Sequence, residues 1–258
     1  MATPTRLHPT ATAVPEAYET PWPVSAGVPG PGHVDLWLLN LPASEPDPAA
    51  RRVLDAEERR RANALLHPLA RFRYLGAHIM LRRVLGAYLG RPPHEVRLRN
   101  EPCPLCRGPH GRPAPAARSA GVHFSLSHRG GLALLGVASS PVGVDVEPPP
   151  GPATVAELIP QLHPAERYDL LDEEPQDRAA LFARVWTRKE AYLKGLGTGL
   201  GRDLSLDYLG ERGSAARPYG WSVLDVPVPG APAAACALRC RDGRGAVRAF
   251  GRLPAAGL

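Results

Sequence analysis

The sequence predicts an α+β fold of two similar halves. Predicted elements run in the order strand, helix, strands, and then strand, helices, strands. The 258 residues suffice for two such units. We expect the halves to span residues 33–141 and 142–252, with the boundary near Pro141.

The first half is expected to follow a disordered tail. Residues 1–32 are rich in proline and alanine and lack hydrophobic periodicity. Residues 33–41 then alternate as a strand. Asp55 and Glu58 have the spacing of a capping box that opens a helix. Apolar residues within 69–89 follow the helical period and predict a long amphipathic helix.

The remaining elements are shorter. A strand is predicted at 95–99, and the apolar runs 122–126 and 132–138 flank a polar turn and predict a hairpin. Residues 142–147 form another strand, which three prolines end. A helix begins at Pro164. The rest predicts a helix and four short strands, at 177–194, 204–208, 221–226, 233–240 and 246–250.

Composition excludes some classes of protein and leaves others open. Hydrophobic residues make up 44% and charged residues 22%, which is ordinary for a globular protein. No apolar run approaches the roughly 18 residues of a membrane helix. The first residues have no apolar signal region, so we expect a cytoplasmic protein. The net charge of +6 suits nucleic acid, a phosphorylated small molecule or an acidic protein, and does not choose among them.

The strand GVDVE carries the first candidate site. Asp145 and Glu147 are two residues apart and therefore point to the same face of the strand. Two adjacent carboxylates repel each other unless a cation lies between them, and hard oxygen ligands favour Mg²⁺. The alternative is an exposed edge strand with alternating acids.

A second candidate lies on the helix at 177–194. Glu190 and Lys194 are four residues apart, and Trp186 lies one turn before them on the same face. A glycine-rich turn follows. The alternative is an ordinary Glu–Lys pair on the helix surface, which stabilises a helix by a few tenths of a kcal/mol.

The hairpin FSLSHRGG is a third candidate. Ser127, His128 and the backbone after them could hydrogen-bond a phosphate or a ribose. Neighbouring side chains on a strand diverge, so the two residues are not a nucleophile and its base. The alternative is a polar hairpin turn.

The cysteines suggest a metal only weakly. Cys103 and Cys106, with His110 nearby, resemble half of a zinc knuckle. The other half is missing, since Cys236 and Cys240 belong to a predicted strand. The sequence therefore favours a loop without zinc.

Together, FSLSHRGG, GVDVE and WTRKEAYLKGLGTGL, in this order and spacing, resemble the 4′-phosphopantetheinyl transferase superfamily. The chain is most similar to the larger, surfactin-synthetase type, in which one chain holds both halves. The resemblance covers about residues 35–210. It implies a pseudo-twofold arrangement in which each half is a small antiparallel sheet packed with helices. It also implies transfer of the phosphopantetheine arm of coenzyme A to a serine of a carrier protein, with release of 3′,5′-ADP, in a cleft between the halves.

The resemblance also implies a Mg²⁺ ion and its ligands. These would be Asp145, Glu147 and Glu190. Glu190 would in addition be the general base for the carrier serine, directly or through a metal-bound water. Lys194 would stabilise the departing pyrophosphate.

Coenzyme A contacts are implied at six positions. Ser127 and His128 would meet the nucleotide phosphates, and Arg73 would meet the 3′-phosphate. The other three are Arg112 on the adenosine side, Lys189 on the phosphate side and, as a weaker placement, Arg60. Arg129 departs from the family pattern, which has serine there, and so does the cysteine-containing insertion before Arg112.

The implied partners are coenzyme A and acidic apo carrier proteins of polyketide, nonribosomal-peptide or fatty-acid synthases. A site completed within one chain predicts a monomer. Nucleic acid and membranes are not expected as partners, because paired acids repel a phosphate backbone. A metal-dependent phosphohydrolase and an inactive carrier-binding relative remain the alternatives.

Overall fold

A computed structural model describes residues 18–19, 27–116, 121–212, 216–229 and 233–253. Within these ranges the chain forms strands and helices in the mixed order that the α+β prediction requires. The helices are α1 (Ala56–Ala64), α2 (Pro68–Leu89), α3 (Pro152–Leu158), α4 (Pro164–Asp172) and α5 (Pro175–Leu196). The strands are β1 (Tyr18–Glu19), β2 (His33–Asn40), β3 (Leu98–Asn100), β4 (Pro113–Pro115), β5 (His123–Arg129), β6 (Leu132–Ala138), β7 (Val142–Glu147), β8 (Trp221–Asp225), β9 (Ala233–Arg239) and β10 (Ala246–Leu253).

The first sheet has the strand order β1-β10-β2-β6-β5. Strands β2, β6 and β5 pair antiparallel, as expected, but β10 pairs parallel to both β2 and β1. The last strand of the predicted second half therefore completes the sheet of the first. Its position has a physical reason, because the carboxylate of Asp35 on β2 is buried and Arg248 on β10 supplies the opposite charge.

The second sheet is antiparallel, in the order β7-β9-β8. It packs against the first sheet through apolar side chains such as Leu36 of β2, Val144 of β7 and Phe250 of β10. On the outer faces, α2 covers the first sheet and α5 covers the second. The layers are thus helix, sheet, sheet and helix, while the pseudo-twofold relation between the halves stays a prediction.

Local signals placed most helix ends correctly. The capping box of α1 is confirmed, with the Asp55 carboxylate accepting from the Glu58 N–H at 2.9 Å and the Glu58 carboxylate accepting from the Asp55 N–H at 3.0 Å. Gly90 ends α2 in the left-handed conformation. The predicted strand at 204–208 is wrong, because this segment is a loop whose carbonyls at Leu204 and Asp207 accept from a buried lysine.

Part of the predicted tail belongs to the fold. Tyr18–Glu19 pairs with β10, and the carbonyl of Gly27 accepts from Arg248 Nη2 at 2.7 Å. Val28 packs against the core between α2 and the first sheet. The rest of the predicted tail, residues 1–17 and 20–26, lies outside the described residues.

None of the helices in the described ranges combines the length and the apolar character that crossing a membrane requires.

Candidate active site

Strand β7 and helix α5 build the centre of the site. Along β7, Val144 points into the core between the sheets, so Gly143, Asp145 and Glu147 point to the opposite face, toward α5. A Cβ on Gly143 would lie 1.8 Å from the carbonyl oxygen of Ala191. Only glycine lets the helix backbone come this close, and the close approach brings the last turns of α5 beside the acids of β7.

Asp145 is the most deeply enclosed of the acids, with 2% of its surface exposed. Its Oδ1 accepts from Lys194 Nζ at 2.6 Å and from Ser127 Oγ at 2.8 Å. Its Oδ2 is buried and has no hydrogen-bond partner among the described residues. A buried, unpaired carboxylate oxygen is costly, so this atom is poised to accept a cation or a donor from a ligand.

Glu147 and Glu190 add two half-buried carboxylates. Burial raises the pKa of Glu190, and the charges of Asp145 and Glu147 raise it further, while Lys194 lowers it. Burial likewise raises the pKa of Glu147, although Arg129 forms an ion pair with it at 3.1 Å. The charge of Asp145 therefore disfavours the ionised forms of Glu147 and Glu190, which a bound cation would relieve.

The donor set fits a magnesium ion, since it consists of hard carboxylate oxygens and includes the unpaired Asp145 Oδ2. The three carboxylates do not form a tight cage, however. Within the described residues, the one group of three ligating side chains whose atoms lie within 4.8 Å of one another is elsewhere, in the loop that holds Cys103. Lys194 supplies the positive charge next to Asp145 instead.

A cleft of about 630 Å³ opens beside Lys194. Both predicted halves line it, the second through Lys194 and the turn after α5. Arg112 is fixed at its wall, with Nε donating to Glu101 at 2.6 Å and Nη1 donating to the carbonyl of Gly195 at 2.9 Å. The basic residues of the lining suit a ligand with several phosphates and are Arg61, His78, Arg99, His110, Arg112, His128 and Lys194. Three acids, Asp55, Glu57 and Glu58, also line the cleft and form ion pairs with arginines.

His128 faces this cleft from the end of β5. Its ring packs edge-on against Tyr74, with the ring centroids 6.5 Å apart. Tyr74 in turn stacks on His78, with the centroids 4.1 Å apart. Partial burial lowers the pKa of His128, and the neighbouring His78 and Lys194 lower it further. The ring therefore favours the neutral form near pH 7, in which it can still donate one hydrogen bond to a phosphate.

Ser127 lies on the other side of the same strand. Its hydroxyl is buried and donates to Asp145, so it does not share the cleft with His128. The alternation of β5 turns Ser125 and Ser127 toward β7, and of these two serines Ser125 also lines the cleft. The structure thus makes Ser127 a residue that positions Asp145, which differs from the phosphate contact expected for it.

Arg73 lies on α2 near the hairpin turn. Its Nη2 would be 3.9 Å from a Cβ on Gly131, and its Nε is buried without a hydrogen-bond partner in the described ranges. A guanidinium with an unused donor beside the β5–β6 turn is suited to an anion. This placement is compatible with the expected phosphate contact.

Two expected coenzyme A contacts lie elsewhere. Lys189 is 2% exposed, and its Nζ contacts Glu166 at 2.8 Å and donates to the carbonyls of Leu204 and Asp207. The reason is its place on α5, one residue before Glu190, which turns it away from β7 and toward α4. Arg60 is exposed on α1 and pairs with Glu57. Neither residue lines the cleft.

Several site residues were not anticipated. Ser125 Oγ accepts from the Val144 N–H at 3.1 Å and so ties β5 to β7. Its spacing of two from Ser127 was a usable signal, since both lie on one face of a strand. Arg99 and His78 reach the cleft from separate elements, and nothing local in the sequence marks them.

Known proteins resemble this chain in sequence. A family model described as the 4′-phosphopantetheinyl transferase superfamily matches residues 141–214, which include β7 and α5. The 4′-phosphopantetheinyl transferase HetI of Nostoc sp. is 32% identical over 176 residues, which cover 66% of this chain and 70% of HetI. A phosphopantetheinyl transferase of Thraustochytrium sp. is 29% identical over 191 residues, covering 66% of this chain and 63% of that protein. The 4′-phosphopantetheinyl transferase of Bacillus subtilis is 34% identical over 80 residues, covering 31% and 35%.

Proposed function

Since the chain belongs to the 4′-phosphopantetheinyl transferase superfamily and is a transferase, we propose that it moves the phosphopantetheine arm of coenzyme A to a serine of an apo carrier protein. The reaction depends on Mg²⁺ and releases 3′,5′-ADP. One observation carries the proposal. Asp145, with its unpaired oxygen, is joined to the basic cleft through Lys194, so that a cation site and a phosphate site are adjacent.

The proposed reaction breaks the phosphoanhydride bond of coenzyme A and forms a phosphodiester between the carrier serine and the pantetheine arm. The serine oxygen forms a bond to the phosphorus that carries the pantetheine arm. The bond from that phosphorus to the bridging oxygen breaks, and 3′,5′-ADP leaves with the electron pair. The serine proton must go to a base, and the charge on the leaving phosphate must be stabilised.

Asp145, Glu147 and Glu190 are the residues that would hold the magnesium ion. When bound, the ion supplies charge neutralisation for the pyrophosphate. The unpaired Asp145 Oδ2 and the raised pKa values of both glutamates support this assignment.

Glu190 is the proposed acceptor of the serine proton. Its half-buried carboxylate lies on α5 beside Asp145 and Glu147, so it is placed to accept that proton. The proton reaches Glu190 directly or through a water molecule.

Lys194 and the cleft residues would hold the phosphates. Lys194 Nζ contacts Asp145 and also lines the cleft, so it is placed to stabilise the leaving phosphate. Arg112 and His128 face the same space, and Arg73 has an unused donor at the hairpin turn. We assign the 3′-phosphate to Arg73 and the adenosine side to Arg112.

The carrier protein is the second substrate. An acidic carrier suits a chain with a net charge of +6. We extend the proposal to carriers of polyketide, nonribosomal-peptide or fatty-acid synthases, to action as a monomer and to a place in the cytoplasm.

The direct test is intact-mass spectrometry of an apo carrier protein incubated with the chain, coenzyme A and Mg²⁺. The proposal expects the carrier to gain the mass of one phosphopantetheine group. A carrier with its acceptor serine changed to alanine, and a reaction with excess EDTA, should show no gain. Breakdown of coenzyme A with an unmodified carrier, across a panel of apo carriers, would show a phosphohydrolase instead.

A further inference from the structure

The loop between β3 and β4 brings together three side chains, of which His110 lines the cleft and none has an assigned role in the proposed function. Cys103, Cys106 and His110 each offer one ligating atom, and these atoms all lie within 4.8 Å of one another. Cys106 Sγ is 2.9 Å from His110 Nε2. The sequence contains only half of a zinc knuckle. In the fold, His110, four residues after Cys106, lies close enough to the two cysteines to form a three-ligand group with them.

The backbone of this loop is arranged around the two cysteines. The Cys103 N–H donates to the carbonyl of Gly108 at 2.8 Å, and the Cys103 carbonyl accepts from the Arg107 N–H at 2.9 Å. The Gly108 N–H also donates to Cys106 Sγ at 3.4 Å. A donor to sulfur stabilises the thiolate, which is the form that binds metals. Arg107 has a φ of 63°, the one positive value outside glycine in the described ranges. The loop holds this strained residue between the second cysteine and the donor Gly108.

We propose that Cys103, Cys106 and His110 bind a zinc ion. Two thiolates and one imidazole are soft and borderline ligands that favour Zn²⁺ over Mg²⁺ or Ca²⁺. The described residues supply three protein ligands, so a water or a ligand from solution takes the fourth position. The site is separate from the acids of β7 and requires no part of the transferase proposal.

The zinc ion would fix one wall of the cleft. Gly111 donates its N–H to the carbonyl of Glu101 at 2.9 Å, and the Glu101 N–H donates to the carbonyl of Arg112 at 3.0 Å. These bonds close the loop directly after His110, which itself lines the cleft. A metal that holds His110 therefore restrains the segment that carries Arg112.

Metal analysis of the purified full chain tests the proposal first. The chain should be prepared without a polyhistidine tag, and its zinc content measured by plasma mass spectrometry. We expect about one zinc per chain in the wild type and none in a Cys103→Ser/Cys106→Ser variant. Cys240→Ala, which removes a cysteine far along the sequence, is the matched control and should keep its zinc. Wild-type protein without zinc, or zinc retained in the double variant, would refute the site.

Spectroscopy on the wild-type chain gives a readout that does not depend on how the variants fold. Zinc-edge X-ray absorption should show two sulfur ligands at about 2.3 Å and a nitrogen ligand at about 2.0 Å. Replacement by Co²⁺ should produce a sulfur-to-cobalt charge-transfer band that the double variant lacks. A shell of oxygen and nitrogen only, or a Cys103–Cys106 disulfide in the metal-free native chain, would overturn the proposal.

Discussion

The carbonyl oxygen of Ala191 lies where the side chain of residue 143 would begin, 1.8 Å from a Cβ placed on Gly143. This contact sets the distance between α5 and β7. Asp145 lies on the same face of β7 as Gly143, and Glu190 and Lys194 flank Ala191 on α5. The geometry of the acids and the lysine therefore depends on the absence of one methyl group.

We expect Gly143→Ala to push α5 away from β7. Overpacking of this kind should lower the free energy of unfolding by at least about 2 kcal/mol, since the obstacle is a backbone oxygen that cannot rotate away. Transfer activity should fall strongly in the protein that remains folded. Chemical denaturation and the carrier-modification assay measure the two effects.

Gly30→Ala is the matched control for this substitution, because a Cβ at Gly30 meets no atom within 4 Å. Its stability should stay within about 0.5 kcal/mol of the wild type. Equal behaviour of the two alanine variants would show that the contact between Gly143 and α5 is unimportant.

Glu190→Gln tests the proposed base. The variant keeps the size of the side chain but loses the proton acceptor and one charge. Turnover should fall by at least about 10²-fold, the scale of lost general-base catalysis, while coenzyme A still binds. A partial rescue at high pH would assign the loss to proton removal, and a rescue by extra Mg²⁺ would assign it to metal binding. Normal turnover would remove Glu190 from the mechanism.

In EDTA, the thermal stability of Glu190→Gln should depend on pH differently from that of the wild type. The raised pKa of Glu190 means that the folded chain binds this proton more tightly than the unfolded chain. Stability is therefore lost as the pH rises through the folded pKa. Glu190→Gln removes that loss, so its Tm should exceed the wild-type Tm at neutral pH. The difference should shrink as the pH falls toward the ordinary carboxyl value of about 4.3. A Tm difference that is independent of pH would contradict this.

Arg73→Ala should raise the KM for coenzyme A more than it lowers kcat, because the proposed phosphate contact changes little during the reaction. The effect should be much smaller with dephospho-coenzyme A, which lacks the 3′-phosphate. Arg60→Ala, at an exposed arginine paired only with a neighbour on α1, is the control and should leave both constants unchanged. An equal effect of Arg73→Ala on both substrates would reject the 3′-phosphate assignment.

Lys189→Met separates a structural lysine from a ligand-binding one. Its partner Glu166 is fully buried and also accepts from the Leu209 N–H at 2.7 Å. Leaving that carboxylate without its cation should destabilise the fold by about 3–5 kcal/mol. The KM for coenzyme A of the folded fraction should not change. A raised KM with unchanged stability would restore the phosphate role that the sequence suggested for Lys189.

The features that could be predicted from the sequence are those that depend on local patterns. The alternation of β7 put Asp145 and Glu147 on one face, and the capping box at Asp55 located the start of α1. Both depend on neighbours within a few residues. The direction of Ser127 and the burial of Lys189 depend on which distant element packs against them, so no local pattern could show either.

The cysteine loop is a second case in which a local pattern was visible but its three-dimensional arrangement was not. The spacing from Cys103 to His110 was visible, but its convergence depends on the turn at Arg107. A positive φ at an arginine is not a sequence signal, because this conformation is uncommon for any residue with a Cβ.

The parallel strand β10 has a consequence for synthesis on the ribosome. It inserts between β1 and β2, and its Arg248 neutralises Asp35, which lies 213 positions earlier. At roughly 5–20 residues per second, translation of that interval takes roughly 10–40 seconds. During this time β2 can pair with β6, but its other edge stays open and its buried acid has no cation. The nascent chain thus offers an unpaired strand edge for as long as β10 is unmade, which favours a chaperone that covers this edge during translation.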